Sequence, residues 1–200
     1  GLGTRMRSAV PKHFHPILGR PMVEWIVEAG RGAGADPLVI VASPATRDRF
    51  EGTGVEVAVQ HEALGTGDAV RSAREALASY DGDVLVLSGD TPLLTAELLG
   101  DLVETHRREE ADATILGAEP PDPRLYGRIV RGPDGSVLKV VEGTDANEDE
   151  QRIREINSSI YVFRAAALWP ALEQLEPKNV QGELYLTDAI EIIVRGGGKV

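Results

Sequence analysis

The sequence predicts an α/β fold, a Rossmann-like and mostly parallel sheet flanked by helices. Three observations carry the α/β class: apolar strand runs alternate with helical-period segments, the strand Val84-Leu85-Val86-Leu87 is apolar on both faces, and turn-forming residues punctuate each unit. Among the 200 residues, 42% are hydrophobic and 26% charged, with 22 Gly and 12 Pro, the composition of a soluble globule rich in turns. A chain this long fits one domain better than two.

The elements follow in order. Residues Pro21–Ala33 place Val23, Ile26 and Val27 at helical spacing, and Asp36-Pro37 breaks into the buried run Leu38-Val39-Ile40-Val41. Val55–Val59 alternates as a strand, the loop Gln60–Gly67 follows, and Ala69, Val70, Ala73, Ala76 and Leu77 mark a second helix. After the central strand, Ser88-Gly89-Asp90-Thr91-Pro92 leads to a helix carrying Leu98, Leu99, Leu102 and Val103. Asp90 therefore stands at a strand's carboxyl end. Ala113–Ala118 is a further strand, and residues 119–155 read as an insertion of β-strands and loops. Within it Arg128–Val130 and Val137–Glu142 are joined by Pro133-Asp134-Gly135, turn chemistry for a hairpin. A charged, solvated stretch Thr144–Glu155 precedes the strand Ile156–Phe163, and helices near Ala165–Leu175 and Glu183–Val194 complete the chain.

Composition also narrows function. The 32 Asp and Glu outnumber 21 Lys and Arg, for a formal charge of −11. Such a surface does not steer nucleic acid or anionic lipid, so neither is expected as a partner. With no cysteine there is no disulfide scaffold, thiolate zinc site or cysteine nucleophile, and a reducing cytoplasm is the expected location. No apolar run approaches the roughly 18 residues of a membrane span. His13, His15, His61 and His106 offer no pair at metal-ligand spacing supported by a carboxylate or Cys ligand, and His106 falls on the apolar side of its helix as a core or boundary residue.

Several clusters could carry chemistry. Gly1-Leu2-Gly3-Thr4-Arg5-Met6 with Pro11-Lys12 sets two glycines, Arg5 and Lys12 within a span of twelve residues. Glycines let backbone N–H groups approach phosphates, while a guanidinium fork and an ammonium neutralise them; the bland alternative is a surface turn with two solvated cations. Gln60 offers donor and acceptor to a base edge, with Gly65 and Thr66 beside it, though alone it would be a solvated loop residue. Asp90 either holds Mg²⁺ bridging phosphates or, with Thr91 before Pro92, caps a helix.

These motifs taken together resemble the sugar-nucleotide pyrophosphorylases, a nucleotidyltransferase family, and within it the pyrophosphorylase domains of bacterial N-acetylglucosamine-1-phosphate uridyltransferases. The resemblance rests on the Gly1–Lys12 loop, Gln60, Leu64-Gly65-Thr66-Gly67, Gly89-Asp90 with Pro92-Leu93, Tyr126-Gly127-Arg128-Ile129, Val141-Glu142, Glu155-Ile156-Asn157-Ser158 and the block Gln181–Asp188. It implies the nucleotide-diphospho-sugar transferase type of α/β fold, and transfer of UMP from UTP to N-acetylglucosamine 1-phosphate with Mg²⁺. It implies Arg5 and Lys12 as catalytic, Gly1, Gly3, Thr4, Gln60, Gly65 and Thr66 as nucleotide-binding, Gly127, Glu142 and Asn157 as sugar-binding, and Asp90 as a metal ligand. Read without the family, Glu142 would be a surface charge and Asn157 a turn residue, while Thr187-Asp188 makes an ordinary N-cap pair.

The family pattern also implies a strand ahead of Gly1 and a second metal-ligating Asn past Val200, so residues 1–200 are expected to be a single nucleotidyltransferase domain clipped at both ends. Many relatives continue into an acetyltransferase β-helix that trimerises, so a homo-oligomer would form through a domain outside this sequence. Ser88 departs from a tyrosine found in some relatives, and Ser159 from a common glycine. Cytidylyl-, thymidylyl- and guanylyltransferases of the same fold, and a noncatalytic nucleotide-sugar-binding subunit, are the competing expectations.

Overall fold

In the computed structural model, the described residues are 6–8, 10–50, 53–123 and 125–200. The phosphate-loop expectations for Gly1, Gly3, Thr4 and Arg5 lie outside them.

The first elements are a two-residue hairpin and a helix. Strands β1 (Pro16–Ile17) and β2 (Arg20–Pro21) pair antiparallel around Leu18 and Gly19, both at positive φ, and α1 (Met22–Gly32) buries Val23, Ile26, Ala29 and Gly30. Then β3 (Val39–Ala42) pairs in parallel with β4 (Glu56–Val59), Ala42 opposite Val59. Helix α2 (Thr66–Ser72) is shorter than its periodicity predicts: the chain continues from Ala73 in tighter i→i+3 turns, which still bury Ala73 and Leu77.

Strand β5 (Asp83–Val86) is followed by α3 (Ala96–Arg108), whose N-terminus is capped by Thr95 Oγ1 accepting from Leu98 N–H at 3.1 Å. Strand β6 (Ala113–Ala118) leads into residues 119–155. There β7 (Arg128–Arg131) and β8 (Val137–Val141) form the expected hairpin, closed at Gly135 with φ +83°. The acidic stretch is more ordered than expected: it forms the short helix α4 (Glu148–Gln151), with Asn147 and Glu150 in a reciprocal capping box, and Glu150 pairs Lys139 at 2.8 Å. The last elements are β9 (Ile156–Arg164), α5 (Ala165–Glu173) and α6 (Leu186–Arg195).

The α/β class with helix-flanked sheets stands, but the pairing is mixed rather than mostly parallel. Strand β9 runs antiparallel to β5 on one edge and to β6 on the other, Tyr161 lying opposite both Val86 and Ile115. The unit β5-α3-β6 keeps its parallel sense across the interposed strand. Phe163, Ile160 and Val162 of β9 are fully buried and join two apolar clusters, one against α5 and α6 and one against α1 and α3. His106 is 1% exposed, as its helical position predicts, with Nδ1 2.8 Å from Thr114 Oγ1. Burial lowers its pKa against the opposing pull of Asp83.

This topology gathers one end of the sheet. Strand β5 ends opposite Tyr161, while Arg128 pairs with both Ile156 and Val141. The end of β5, from which the Asp90 loop leaves, the start of β7, the end of β8 and the start of β9 therefore lie at one end of the sheet.

Candidate functional site

At the end of β5, the Asp90 carboxylate is held from both sides. Lys12 Nζ forms an ion pair with Oδ2, and Ser88 Oγ donates to Oδ1 at 2.6 Å. Burial pushes the carboxyl pKa up, but the Lys12 and Ser88 hydrogen bonds and the positive charge nearby outweigh it, so Asp90 sits below the usual carboxylate range. Its capping alternative is excluded, because the residue that caps the following helix is Thr95. Gly89 packs closely on His13: a Cβ there would lie 2.9 Å from His13 Cδ2, so the imidazole would have to shift. Ser88, singled out in sequence only as a departure, thus orients the candidate metal ligand.

At the same end of the sheet, Gly127, Glu142 and Asn157 come together from three separate segments. Asn157 N–H donates to Gly127 O at 2.9 Å, and a Cβ at Gly127 would lie 3.5 Å from both Glu142 Oε2 and Asn157 Cβ. Asn157 is 3% exposed; its Nδ2 donates to the Tyr161 hydroxyl at 2.7 Å and its Oδ1 accepts from Ser159 N–H at 3.0 Å. Burial raises the Tyr161 pKa, keeping the hydroxyl protonated. Ser159 holds φ +64°, the left-handed backbone that favours the glycine expected there.

Glu142 is the partly buried acid of this cluster. Thr187 Oγ1 donates to its Oε1 at 3.1 Å, yet burial first, and the charges of Asp145 and Asp188 after it, raise its pKa. Thr187, 2% exposed, lies inside the first turn of α6, whose N-cap position is Tyr185, so the N-cap reading of Thr187-Asp188 is corrected. Nothing in the sequence could have paired Thr187 with Glu142, since only the fold brings β8 beside α6.

Gln60, Gly65 and Thr66 form the third group. Gln60 leaves β4 and turns its amide back, Nε2 donating to Gly65 O at 3.0 Å and to Asp68 Oδ2 at 2.9 Å. Asp68, absent from the sequence-level candidates, is 8% exposed, and its Oδ1 accepts from Arg71 at 2.6 Å. Thr66 Oγ1 accepts from Leu186 N–H at 2.9 Å, which anchors this loop to α6. The glycines allow a close approach: Gly65 has φ +122°, and a Cβ there would lie 2.4 Å from Leu184 O. A Cβ at Gly67 would lie 2.3 Å from Leu175 Cδ1. The segment 184–187 thus touches both the Gln60 loop and Glu142.

Comparison with known proteins places this geometry in context. Residues 1–187 match the family described as MobA-like NTP transferase domain. The bifunctional protein GlmU of Caldanaerobacter subterraneus subsp. tengcongensis is 48% identical over 203 residues, covering 100% of this chain and 44% of that protein. That of Pelobacter propionicus is 47% identical over 201 residues, covering 98% of this chain and 44% of its own length. The chain therefore spans less than half the length of these curated relatives. A solved structure of UDP-glucose pyrophosphorylase complexed with UDP-glucose shares the fold with a TM-score of 0.77, over 99% of this chain and 85% of that one, at 16% identity. Among the described residues no helix is long and apolar enough to cross a membrane.

Proposed function

Because the chain belongs to the MobA-like NTP transferase domain family, we propose that it transfers UMP from UTP to N-acetylglucosamine 1-phosphate, giving UDP-N-acetylglucosamine and pyrophosphate. The observation that carries this reading is the meeting of Gly127, Glu142 and Asn157 at the end of the sheet that also presents Lys12 and Asp90. A carboxylate oxygen, an amide and a backbone N–H supply the directional partners that sugar hydroxyl and acetamido groups require. Across the Thr66–Leu186 contact, Gln60 and Gly65 supply an acceptor and a donor to a base edge. The relatives named GlmU support the choice of sugar nucleotide.

The reaction is an in-line displacement. An oxygen of the sugar phosphate forms a bond to the α-phosphorus of UTP as the bond to the bridging oxygen breaks, and pyrophosphate leaves with the electron pair. The attacking group is already an anion, so proton transfer has little to contribute. Catalysis then consists of positioning two polyanions and neutralising charge that builds on the α-phosphoryl oxygens. Lys12 reaches the strand-end carboxylate and is the described cation best placed to turn to a phosphate; Arg5 has the same task from the glycine-rich loop.

The donor set at Asp90 fits Mg²⁺, which is commonly bound through one or two carboxylates plus waters and substrate phosphates. Asp90 would hold it, with Ser88 orienting the carboxylate, and the ion when bound supplies charge neutralisation at phosphate oxygens. A chain without cysteine supports a reducing cytoplasm as the location.

The test is pyrophosphate release across four NTPs and several sugar 1-phosphates in Mg²⁺, with Lys12→Ala as control. Product from UTP and N-acetylglucosamine 1-phosphate alone, dependent on Lys12, is the expected result. Turnover with another pair would overturn the substrate assignment, and nucleotide binding without turnover would point to a noncatalytic binding subunit.

A further inference from the structure

We propose that Asp68 sets which nucleobase the chain accepts, by holding the Gln60 amide with its carbonyl oxygen turned outward. The inference rests on the reading that Gln60 and Gly65 face the base, and it adds a residue that does not touch the nucleotide. The Gln60 amino group has two hydrogens, and both are engaged: one by Gly65 O at 3.0 Å and one by Asp68 Oδ2 at 2.9 Å. A carboxylate accepts and cannot donate, so only the amino end of the amide can face it. Turning the amide over would set Gln60 Oε1 against two acceptor oxygens at once. Asp68 is itself pinned, buried at the start of α2 with Oδ1 on the Arg71 guanidinium at 2.6 Å.

The consequence is chemical. A free glutamine presents a donor or an acceptor as the ligand demands, but this one presents its carbonyl oxygen alone. At ring position 3, uracil carries an N–H donor and cytosine a bare acceptor nitrogen. An acceptor-only Gln60 gains a hydrogen bond from the first and faces lone pair with lone pair in the second. Sites that hydrogen-bond a specific group reject the analogue lacking it more strongly than apolar pockets do, because the protein's own polar group is left unpaired. Asparagine at position 68 would present either end of its own amide and release the constraint at little change in size.

Dissociation constants for UTP and CTP, measured by calorimetry on the chain and on Asp68→Asn, test this. The expected result is a fall of about tenfold in the preference for UTP over CTP, the size of one hydrogen-bond difference. Arg71→Met, at a half-exposed site, unpins Asp68 from its other side and is expected to move the preference the same way by less, which keeps the test open should Asp68→Asn fold poorly. In a Gln60→Ala background the Asp68→Asn effect on the preference should vanish. An unchanged preference in both variants, an equal loss for both nucleotides, or a shift that persists without Gln60 would overturn the inference while leaving the uridylyl reading intact. No preference for UTP in the unaltered chain would instead overturn the base assignment beneath it.

Discussion

Lys12 and Asp90, 78 positions apart, meet as an ion pair at the carboxyl end of β5, half-exposed on the lysine side and more buried on the aspartate side. Lys12→Ala removes one preorganised cation from the site of charge development and is expected to lower kcat about 10²–10³-fold. Steady-state rates of pyrophosphate release check this, with thermal unfolding to show that the variant remains folded; full activity would remove Lys12 from the mechanism.

Glu142 gives a pH-dependent prediction. Its folded-state pKa is raised by burial first and by Asp145 and Asp188 next, with the Thr187 hydroxyl opposing. A raised carboxyl favours the folded state while protonated, so its contribution is fully present below the unfolded pKa and is lost as pH rises through the folded pKa. Glu142→Gln keeps an acceptor for Thr187 and removes the charge. The variant should be the more stable protein at pH 8, with the difference vanishing below about pH 4. Urea titrations across that range measure it. The same variant should lose about tenfold or more in kcat/KM for the sugar phosphate with little change for UTP, the cost of a charged acceptor.

Gly65 combines a packing demand with a backbone one. Gly65→Ala must place a Cβ against Leu184 O at 2.4 Å from a φ of +122°, whereas Gly34, at φ +84°, has nothing within 4 Å of its Cβ position. Alanine at position 34 should cost about 1 kcal/mol through its left-handed backbone alone. At position 65 the glycine-only backbone, φ +122° with ψ 177°, and the clash together should raise the loss by a further ~1–3 kcal/mol. Equal losses in equilibrium unfolding would show that the loop relaxes around the new side chain.

What was legible in the sequence was local. Periodicity located α1 and α3, the doubly apolar run marked β5, Pro133-Asp134-Gly135 closed its hairpin, and the place of His106 among helix leucines put it in the core. Strand sense was not legible, because whether β9 runs with or against β5 is decided by partners some 80 residues away. The site shows the same division. The motif around Leu64 points to a loop at Gly65, but the carboxylate that orients Gln60 carries no signal, since Asp68 reads as an ordinary first-turn acid. Thr187 reads as a cap until β8 is seen beside α6, and its hydroxyl then belongs to Glu142.

The interposition of β9 has a consequence for how the chain is made. Both β5 and β6 emerge from synthesis well before residue 156, and among the described residues the strand that pairs with each is β9, which arrives later to fill the space between them. Until then two strands carry open hydrogen-bonding edges flanked by apolar side chains, the condition under which chains join one another instead of folding. Pairing Val84 with Phe163 also closes a long loop before any contact rewards it, which slows the step. The interval between the birth of β6 and that of β9 is thus the period in which this protein is most exposed to aggregation, and a chaperone that shields residues 83–118 would act there.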